Sequence, residues 1–568
     1  MDKIWQLTPK IKENIIKDNP DFDPAVLQIL NNRGIKDKKE IEFFLKGDFE
    51  NLIDPFLFKN MEKAVDKIIG HIKKGSKICV FGDYDADGIT SSALLYDLLA
   101  LFKADVFVYI PDRIKEGYGL NIEGLKNVIN DGADLIITVD GGIRNKEAVE
   151  YAKKEGREIV ITDHHPAPEK KEDMPDCLII NPQVKGENYP TKTLAGVGVA
   201  FKLAQALIER SKLKKEQKHT LTKRLLDLVA IGTVADCMVL LGENRILVKE
   251  GLEVLNNTRR LGLKELIKVS CINNKELQAW NIGFQIAPRL NASSRIASGV
   301  AAFELLVSKD EDECNLSAKD LDEKNAYRQK LTEEAVAEVE EQIKDQAGEK
   351  IFIGIADEKD PWNEGIVGLV AGKITERYYK PCIIITKGDE EWKGSGRSID
   401  EFNLAKALEA CKDVLIKQGG HAKACGLSVE KDKLAVFSEK IRKIAKKELK
   451  DVELLPKITI DCEIGVDEVK KPLVNAINRL APFGQGNPEP KFLSRNVQIR
   501  DIMKMGAEEQ HIKFKLGRLW ALAFGKADIW SKYKIGDLVD VVYNVGINEF
   551  NGRKEEQLKV IDIKLSSQ

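Results

Sequence analysis

From about residue 76 the chain alternates short apolar runs with amphipathic stretches. The runs are KICVF, ADVFVYI, ADLIITV, REIVIT and CLII, each rich in Val or Ile and each followed within two residues by Gly, Asp or Pro. Runs of this length separated by helical sequence predict parallel strands of an α/β sheet covered on both faces. Before them, residues 1 to about 60 read as polar helices with Trp5 as an apolar anchor. From about 196 to 270 helical periodicity dominates. A charged stretch at 317–346 has apolar residues at three- and four-residue spacing and predicts one long, solvated helix. A second α/β unit follows at about 350–450, with strands at IFIGIA and PCIIIT. After Pro456 the period becomes two, with Gly-bearing turns, in KITIDCEI, NVQIRDI, HIKFKLG, LWALAFG and DLVDVVYNV. Short alternating strands of this kind predict a small antiparallel barrel, with an OB-fold as the leading candidate.

Composition changes this picture little. The 568 residues suffice for several domains, and 43% hydrophobic with 32% charged residues is ordinary for a globular chain. A net charge of −2 neither requires nor excludes a local basic groove for nucleic acid. The nine cysteines include no C-x-x-C pair, which argues against a zinc ribbon and for reduced thiols in a cytoplasmic protein. The N-terminus has no apolar signal-peptide core, and no run approaches the roughly 18 apolar residues of a membrane span.

The chemistry lies at the strand ends. After KICVF come three carboxylates at alternate positions, Asp83, Asp85 and Asp87, and Gly88 then opens a helix. A lone D-x-D-G is most simply a turn with helix-capping aspartates. Here the next apolar strand, LIITV, ends in Asp140-Gly141-Gly142, and EIVIT ends in Asp163-His164-His165. Ligands of open parallel sheets bind outside the carboxyl ends of the strands, so three strands deliver acids and imidazoles to one edge. Asp236 adds a carboxylate within the apolar segment LLDLVAIGTVADCMVLLGENR, where burial would demand a partner. Clustered carboxylates repel one another unless a cation sits among them. Carboxylates with imidazoles favour Mn²⁺ or Mg²⁺. The candidates exceed what one octahedral ion needs, which points to two ions roughly 3.5–4 Å apart. There is neither a Walker A loop nor a serine elbow.

On the substrate side, Ser395 to Arg397 (GSGR) suggests an anion nest beside a guanidinium, with a plain loop as the competing reading. Gly419-Gly420-His421 lets backbone approach a ligand, or simply makes a tight turn. Arg113, Arg289 and Arg295 are candidate phosphate contacts, although an isolated Arg is as often an ion-pair residue. Phe483, Phe492, Phe514, Trp520 and Phe524 are mostly barrel core, with base stacking as the alternative.

These motifs resemble the DHH phosphoesterase family, whose name is carried by the Asp163-His164-His165 triplet. GDYDADG, PDRIKEGYGLN, TVDGGI, AGVGVAFKLAQAL, GTVADCMVLLGENR, APRLNASSRI, GSGRS, GGHAKACG and LAPFGQGNPEPKF extend the likeness over essentially the whole chain. The resemblance implies metal ligands at Asp83, Asp85, Asp140, His164 and Asp236, with Asp87 and His165 in the same cluster, touching metal or substrate. It implies DNA-backbone contacts at Arg113, Arg289, Asn291, Arg295, Ser395, Arg397, Gly420 and His421. It implies five parts: an N-terminal helical segment (1–60), a DHH catalytic domain (61–315), a connecting helix (316–347), a DHH-associated domain (348–450) and an OB-fold-like domain (451–568). The activity implied is Mn²⁺- or Mg²⁺-dependent 5′→3′ exonucleolysis of single-stranded DNA in recombination and repair, with a single-strand-binding protein and a RecQ-type helicase as partners. Shorter family members that hydrolyse oligonucleotides or cyclic dinucleotides, and non-catalytic relatives that have lost ligands, are the alternatives. Two stretches depart from the family pattern: Asn363 stands where a His is usual, and Ala287-Pro288-Arg289 with Asn291 to Arg295 replaces G-P-R-x-N-A-A-G-R.

Overall fold

The computed structural model describes residues 3–113, 116–117, 119–272, 276–296, 298–550 and 553–566, with 549–550 and 553–554 described by backbone alone. The chain divides into two compact units. The larger comprises Trp5–Ala287, Leu306–Lys309 and Lys457–Gln568, the smaller chiefly Pro288–Leu305 and Asp310–Pro456.

The larger unit opens on a short strand, β1 (Ile4–Leu7), and then contains the expected parallel sheet. Its strands are β2 (Lys77–Phe81), β3 (Asp105–Tyr109), β4 (Leu135–Val139), β5 (Glu158–Thr162) and β6 (Leu178–Ile180), in spatial order β3-β2-β4-β5-β6. All five residues of β4 are buried, as a central strand covered on both faces requires. The chain leaves β2 toward β3 and returns on its other side as β4, so the topological switch point lies between β2 and β4. Helices Ala86–Leu101, Gly196–Arg210 and Leu226–Ala235 pack on one another. They are largely apolar and buried along most of their length, emerging only toward their C-terminal ends.

The smaller unit contains the long helix, which spans Glu311–Lys344. The Asp310 side chain caps it by accepting the Glu313 N–H at 2.9 Å, and acids at 311–313 favour its N-terminal dipole. The sheet beside it has β7 (Phe352–Ile355), β8 (Cys382–Lys387), β9 (Trp392–Arg397), β10 (Lys417–His421) and β11 (Ala424–Val429), in order β10-β11-β9-β8-β7. Only β7 and β8 run parallel. The GSGR segment is therefore the end of strand β9 and not a loop. Its backbone belongs to the β8–β9–β11 ladder, so it is no free nest of N–H groups.

The C-terminal barrel is built from β12 (Lys457–Ile460), β13 (Cys462–Glu463), β14 (Phe492–Met505), β15 (His511–Leu516), β16 (Leu519–Ala523), β17 (Leu538–Phe550) and β18 (Arg553–Leu565). Strands β13 to β18 form one sheet that closes through β14–β17 pairing, and β12 pairs with β1. Phe492 and Phe514 are buried in its core, and Phe483 is half-buried against it. The N-terminal segment is less polar than it reads. Val26, Leu27, Ile29 and Leu30 of helix Pro24–Asn32 belong to the same apolar core as the barrel. The Trp5 indole donates to Asp562 at 2.8 Å. Among the described residues no helix is long and apolar enough to cross a membrane.

Candidate active site

The ends of β2, β4 and β5, beside the switch point, bring together six of the acids and imidazoles expected there, and the C-terminus of helix Leu226–Ala235 adds the seventh, Asp236. Asp85 is the N-cap of helix Ala86–Leu101, and its carboxylate accepts the N–H groups of Asp87 (2.9 Å) and Gly88 (3.1 Å). Asp83 is buried, and its Oδ1 has no hydrogen-bond partner. Asp140 follows β4 in the left-handed region, at φ +59°, a conformation that Asp tolerates better than most residues. A Cβ on Gly196 would lie 2.6 Å from the Asp140 carboxylate, so this position requires glycine. His164 Nε2 lies 3.1 Å from Asp140 and 3.6 Å from Asp236.

The ligand atoms fall into three overlapping groups, each within 4.8 Å: Asp83 with Asp85 and Asp140, Asp140 with His164 and His165, and Asp87 with His164 and Asp236. Asp140 and His164 are shared, so the donors form one continuous cluster. Asp87 has a second task that its spacing did not reveal. Its two oxygens accept the Gly196 and Val197 N–H groups, each at 2.7 Å, and so anchor the N-terminus of helix Gly196–Arg210. Asp236 is less buried than its apolar segment suggests. It caps the C-terminus of helix Leu226–Ala235, and its side chain is 30% exposed. The negative end of a helix repels a carboxylate, so this position too favours a cation nearby.

Electrostatics give the same result. Burial, compounded by neighbouring carboxylates, pushes Asp87 up to about 7 and Asp236 up to about 8. The same causes hold Asp83 and Asp140 well above the carboxylate range. Burial holds His164 down to about 4, which keeps its imidazole neutral and able to coordinate. The cluster therefore resists full ionisation by itself. Oxygen-rich donors, two imidazoles, an orphaned buried carboxylate oxygen and this strain all fit divalent ions that prefer oxygen and nitrogen ligands.

Asp163 is a positioning residue. Its Oδ1 accepts the N–H groups of His164 and His165 (2.6 and 3.0 Å) and sits 2.8 Å from His165 Nδ1, while Oδ2 accepts Ile143 N–H at 2.9 Å. With Nδ1 held by a carboxylate, the other ring nitrogen of His165 is left for a ligand. Two further supports escaped the sequence reading. Asn181 donates to the His165 carbonyl at 2.9 Å, and Gln183 donates to the His164 carbonyl. The signal was present, since N-P-Q directly follows the apolar run CLII, as polar groups follow the other strand ends.

The substrate candidates divide. Arg113 lies near Asp83, with its guanidinium 4.8 Å from the Tyr84 ring centroid. The others belong to the smaller unit. Arg289 is ion-paired with Asp322 at 2.8 Å, and Arg295 donates to the Gly365 carbonyl at 2.7 Å. Asn291 lies in the same helix, Ala287–Ile296. Asn363, at the departure from the family pattern, accepts the Gly365 N–H at 2.7 Å and so shapes the turn before helix Val367–Tyr378. Arg397 donates to the Ser395 hydroxyl at 3.2 Å and packs beside Gly368 and Gly372 of that helix. Ladder register aligns His421, Ala424 and Arg397 in one row and Gly419, Gly426 and Ser395 in another. Directly opposed residues share a face, so the glycines clear space between Ser395–Arg397 and His421. Gly420 has φ +131°, and a Cβ there would meet the Ala424 carbonyl at 2.4 Å.

Comparison with known proteins agrees with this anatomy. Residues 77–233 match the DHH family N-terminal domain, 348–447 the DHHA1 domain, and 460–562 the RecJ OB domain. The chain is 38% identical to the single-stranded-DNA-specific exonuclease RecJ of Bacillus subtilis (strain 168), over 100% of this chain and 70% of that one. It is 32% identical to the exonuclease of the same name from Salmonella typhimurium, over 96% of each. The crystal structure of RecJ in complex with Mn²⁺ from Thermus thermophilus superposes with a TM-score of 0.85 at 26% identity, covering 100% of this chain and 80% of that chain. Three domain matches in one order, full-length likeness and a complete set of strand-end ligands lead to one assignment: the chain belongs to the RecJ family of DHH phosphoesterases.

Proposed function

We propose that the protein is a single-stranded-DNA-specific 5′→3′ exonuclease that hydrolyses phosphodiester bonds with two divalent ions, Mn²⁺ or Mg²⁺. The observation that carries this reading is the continuous cluster at the switch point, where Asp140 and His164 belong to more than one ligand group. Asp83, Asp85, Asp140, His164 and Asp236 would hold the ions, with Asp87 and His165 completing the cluster. When bound, such ions lower the pKa of a water and offset charge on the phosphate and leaving oxygen.

The chain's own residues do the rest. Asp163, Asn181 and Gln183 fix the two histidines, and Asp85 and Asp87 lock two helix ends to the same point. Arg113 brings a guanidinium to the edge of the cluster, suited to a backbone phosphate. Arg397 with Ser395, helped by Arg289 or Arg295, would form the pocket for the terminal 5′-phosphate within the smaller unit. A pocket of this kind explains exonucleolysis, because only a strand end presents a terminal dianion. Full-length likeness to the exonucleases, with the barrel included, favours this reading over a dinucleotide hydrolase, and the complete ligand set disfavours a non-catalytic scaffold. Action in recombination and repair in the cytoplasm, with a single-strand-binding protein and a RecQ-type helicase as partners, rests on family resemblance alone.

The test is hydrolysis of 5′- and 3′-labelled single strands with Mn²⁺, with and without a 5′-phosphate. Early release of the 5′ label, slower cleavage of strands lacking the 5′-phosphate, and loss of that difference in Arg397→Ala are expected. Robust cutting of circular single strands would overturn the terminal-phosphate pocket.

A further inference from the structure

Beyond the strand-end site, two large aromatic side chains stand in solvent where nothing described above uses them. Trp280 is 58% exposed and Phe284 is 68% exposed, yet their rings face each other with centroids 5.3 Å apart and planes 23° from parallel. Scattered exposed aromatics need no explanation, but a stacked pair is a continuous π surface. Its backbone is irregular. A short helix, Ala279–Asn281, passes into a π-helical turn at Ile282–Ile286, a distortion common at functional sites.

The opposite side of this segment is firmly docked. Ile282 and Ile286 are fully buried, and Ala279 packs into a cluster with Leu240, Val248 and Val234. Asn281 donates to Gln285 at 2.8 Å and accepts the Gln278 N–H at 2.8 Å, so the turn is held along its polar edge as well. The rings therefore stand on a rigid base and are not the loose end of a loop. That base packs against the helix whose C-terminus carries Asp236. A Cβ on Gly283 would lie 3.7 Å from Val234, two residues before Asp236 in the same helix end.

We infer that Trp280 and Phe284 form a base-stacking platform beside the metal centre, and that the occupant is an unpaired stretch of DNA strand. The inference rests on the nuclease reading above and adds to it a source of strand selectivity. Near-parallel aromatic faces accept any base by its π-face, without regard to sequence. A base within a duplex has both faces covered by its neighbours and has none to offer. Stacking at this point thus favours single strands independently of the terminal phosphate.

The test compares wild type with Trp280→Ala, Phe284→Ala and the double variant. Binding of oligo(dT) and of an abasic strand of the same length is measured by fluorescence anisotropy in EDTA, and hydrolysis of a normal strand is measured with Mn²⁺. Both side chains are exposed, so the fold should tolerate their removal, and thermal melting checks this. The wild-type preference for the base-bearing strand over the abasic strand should fall about tenfold for each ring removed. Trp280→Phe with Phe284→Trp should restore it, and quenching of Trp280 fluorescence by oligo(dT) should vanish in Trp280→Phe. An unchanged preference in the double variant, with wild-type hydrolysis intact, would overturn the platform alone. Failure of the wild type to hydrolyse single strands would overturn the nuclease reading and the platform with it.

Discussion

Two of the places where the larger unit buries charge are built oppositely. Near the N-terminal segment, the fully buried Lys202 ammonium lies 2.6 Å from Glu243 and donates to the Ile53 carbonyl at 2.8 Å. Glu243 in turn accepts from the Tyr189 hydroxyl at 2.7 Å and from Ile53 N–H at 3.0 Å. Every charge there has an opposite charge and hydrogen bonds, so the group ties segment 53–54 to two helices and needs nothing from outside. At the switch point, carboxylates from Asp83, Asp85, Asp87, Asp140 and Asp236 crowd two histidines, one of them held neutral by burial. Like charge dominates there: after burial, neighbouring carboxylates are what raise Asp87, Asp140 and Asp236 most. At Lys202 and Glu243 the buried charge is neutralised within the chain. Buried charge left over marks a place where something else must bind.

The largest effect expected is on catalysis. His164→Ala or Asp140→Asn should lower hydrolysis by several orders of magnitude, because each removes a donor shared between ligand groups. Asn suits position 140 because it tolerates the left-handed backbone that Ala would strain. Asp140→Asn should not lower the melting temperature in EDTA, since it relieves repulsion. Near-normal activity with either change would break the contrast.

The next effect is on stability. Lys202→Met leaves Glu243 buried without its cation and should cost about 3–5 kcal/mol in denaturant unfolding. Adding Glu243→Leu should recover much of that loss. A single variant as stable as wild type would mean that the group is not the internal staple described.

A smaller effect follows from pH. Asp87 and Asp236 titrate in the fold at about 7 and about 8, against about 3.9 in an unfolded chain. The folded state therefore holds these protons more tightly. Their contribution favours the metal-free fold most below pH 4 and is lost as pH rises through 7 to 8. In EDTA the melting temperature should fall across that window. With saturating Mn²⁺, which binds the ionised carboxylates, the fall should disappear, and Mn²⁺ affinity should rise with pH over the same range. Parallel melting profiles in EDTA and Mn²⁺ would contradict the assignment.

Much of this was legible in the sequence for a definite reason. A parallel strand in a doubly covered sheet reads as an apolar run, and its carboxyl end is where polar groups can reach a ligand. Asp83, Asp85, Asp140 and His164 stand at such ends, so periodicity alone placed them together. What depends on a distant partner was not legible. Asp163 carries the family triplet, yet it serves the histidines through hydrogen bonds that no spacing encodes. Asp87 clamps a helix more than a hundred residues away. The glycines of GSGR imitate a loop because a side chain on Gly394 would run into Leu427 and one on Gly396 into Leu404. Helix Pro24–Asn32 reads as part of a polar segment because the barrel that buries it comes more than 400 residues later.

The central claim is that the unbalanced acid cluster is balanced by two metal ions, and equilibrium dialysis against Mn²⁺ at pH 8 tests it most directly. The account predicts two tightly bound ions per wild-type chain and at most one in Asp140→Asn, with single-strand hydrolysis tracking occupancy of the second ion. No tight Mn²⁺ binding by the wild type, or two ions bound equally well by Asp140→Asn, would contradict it.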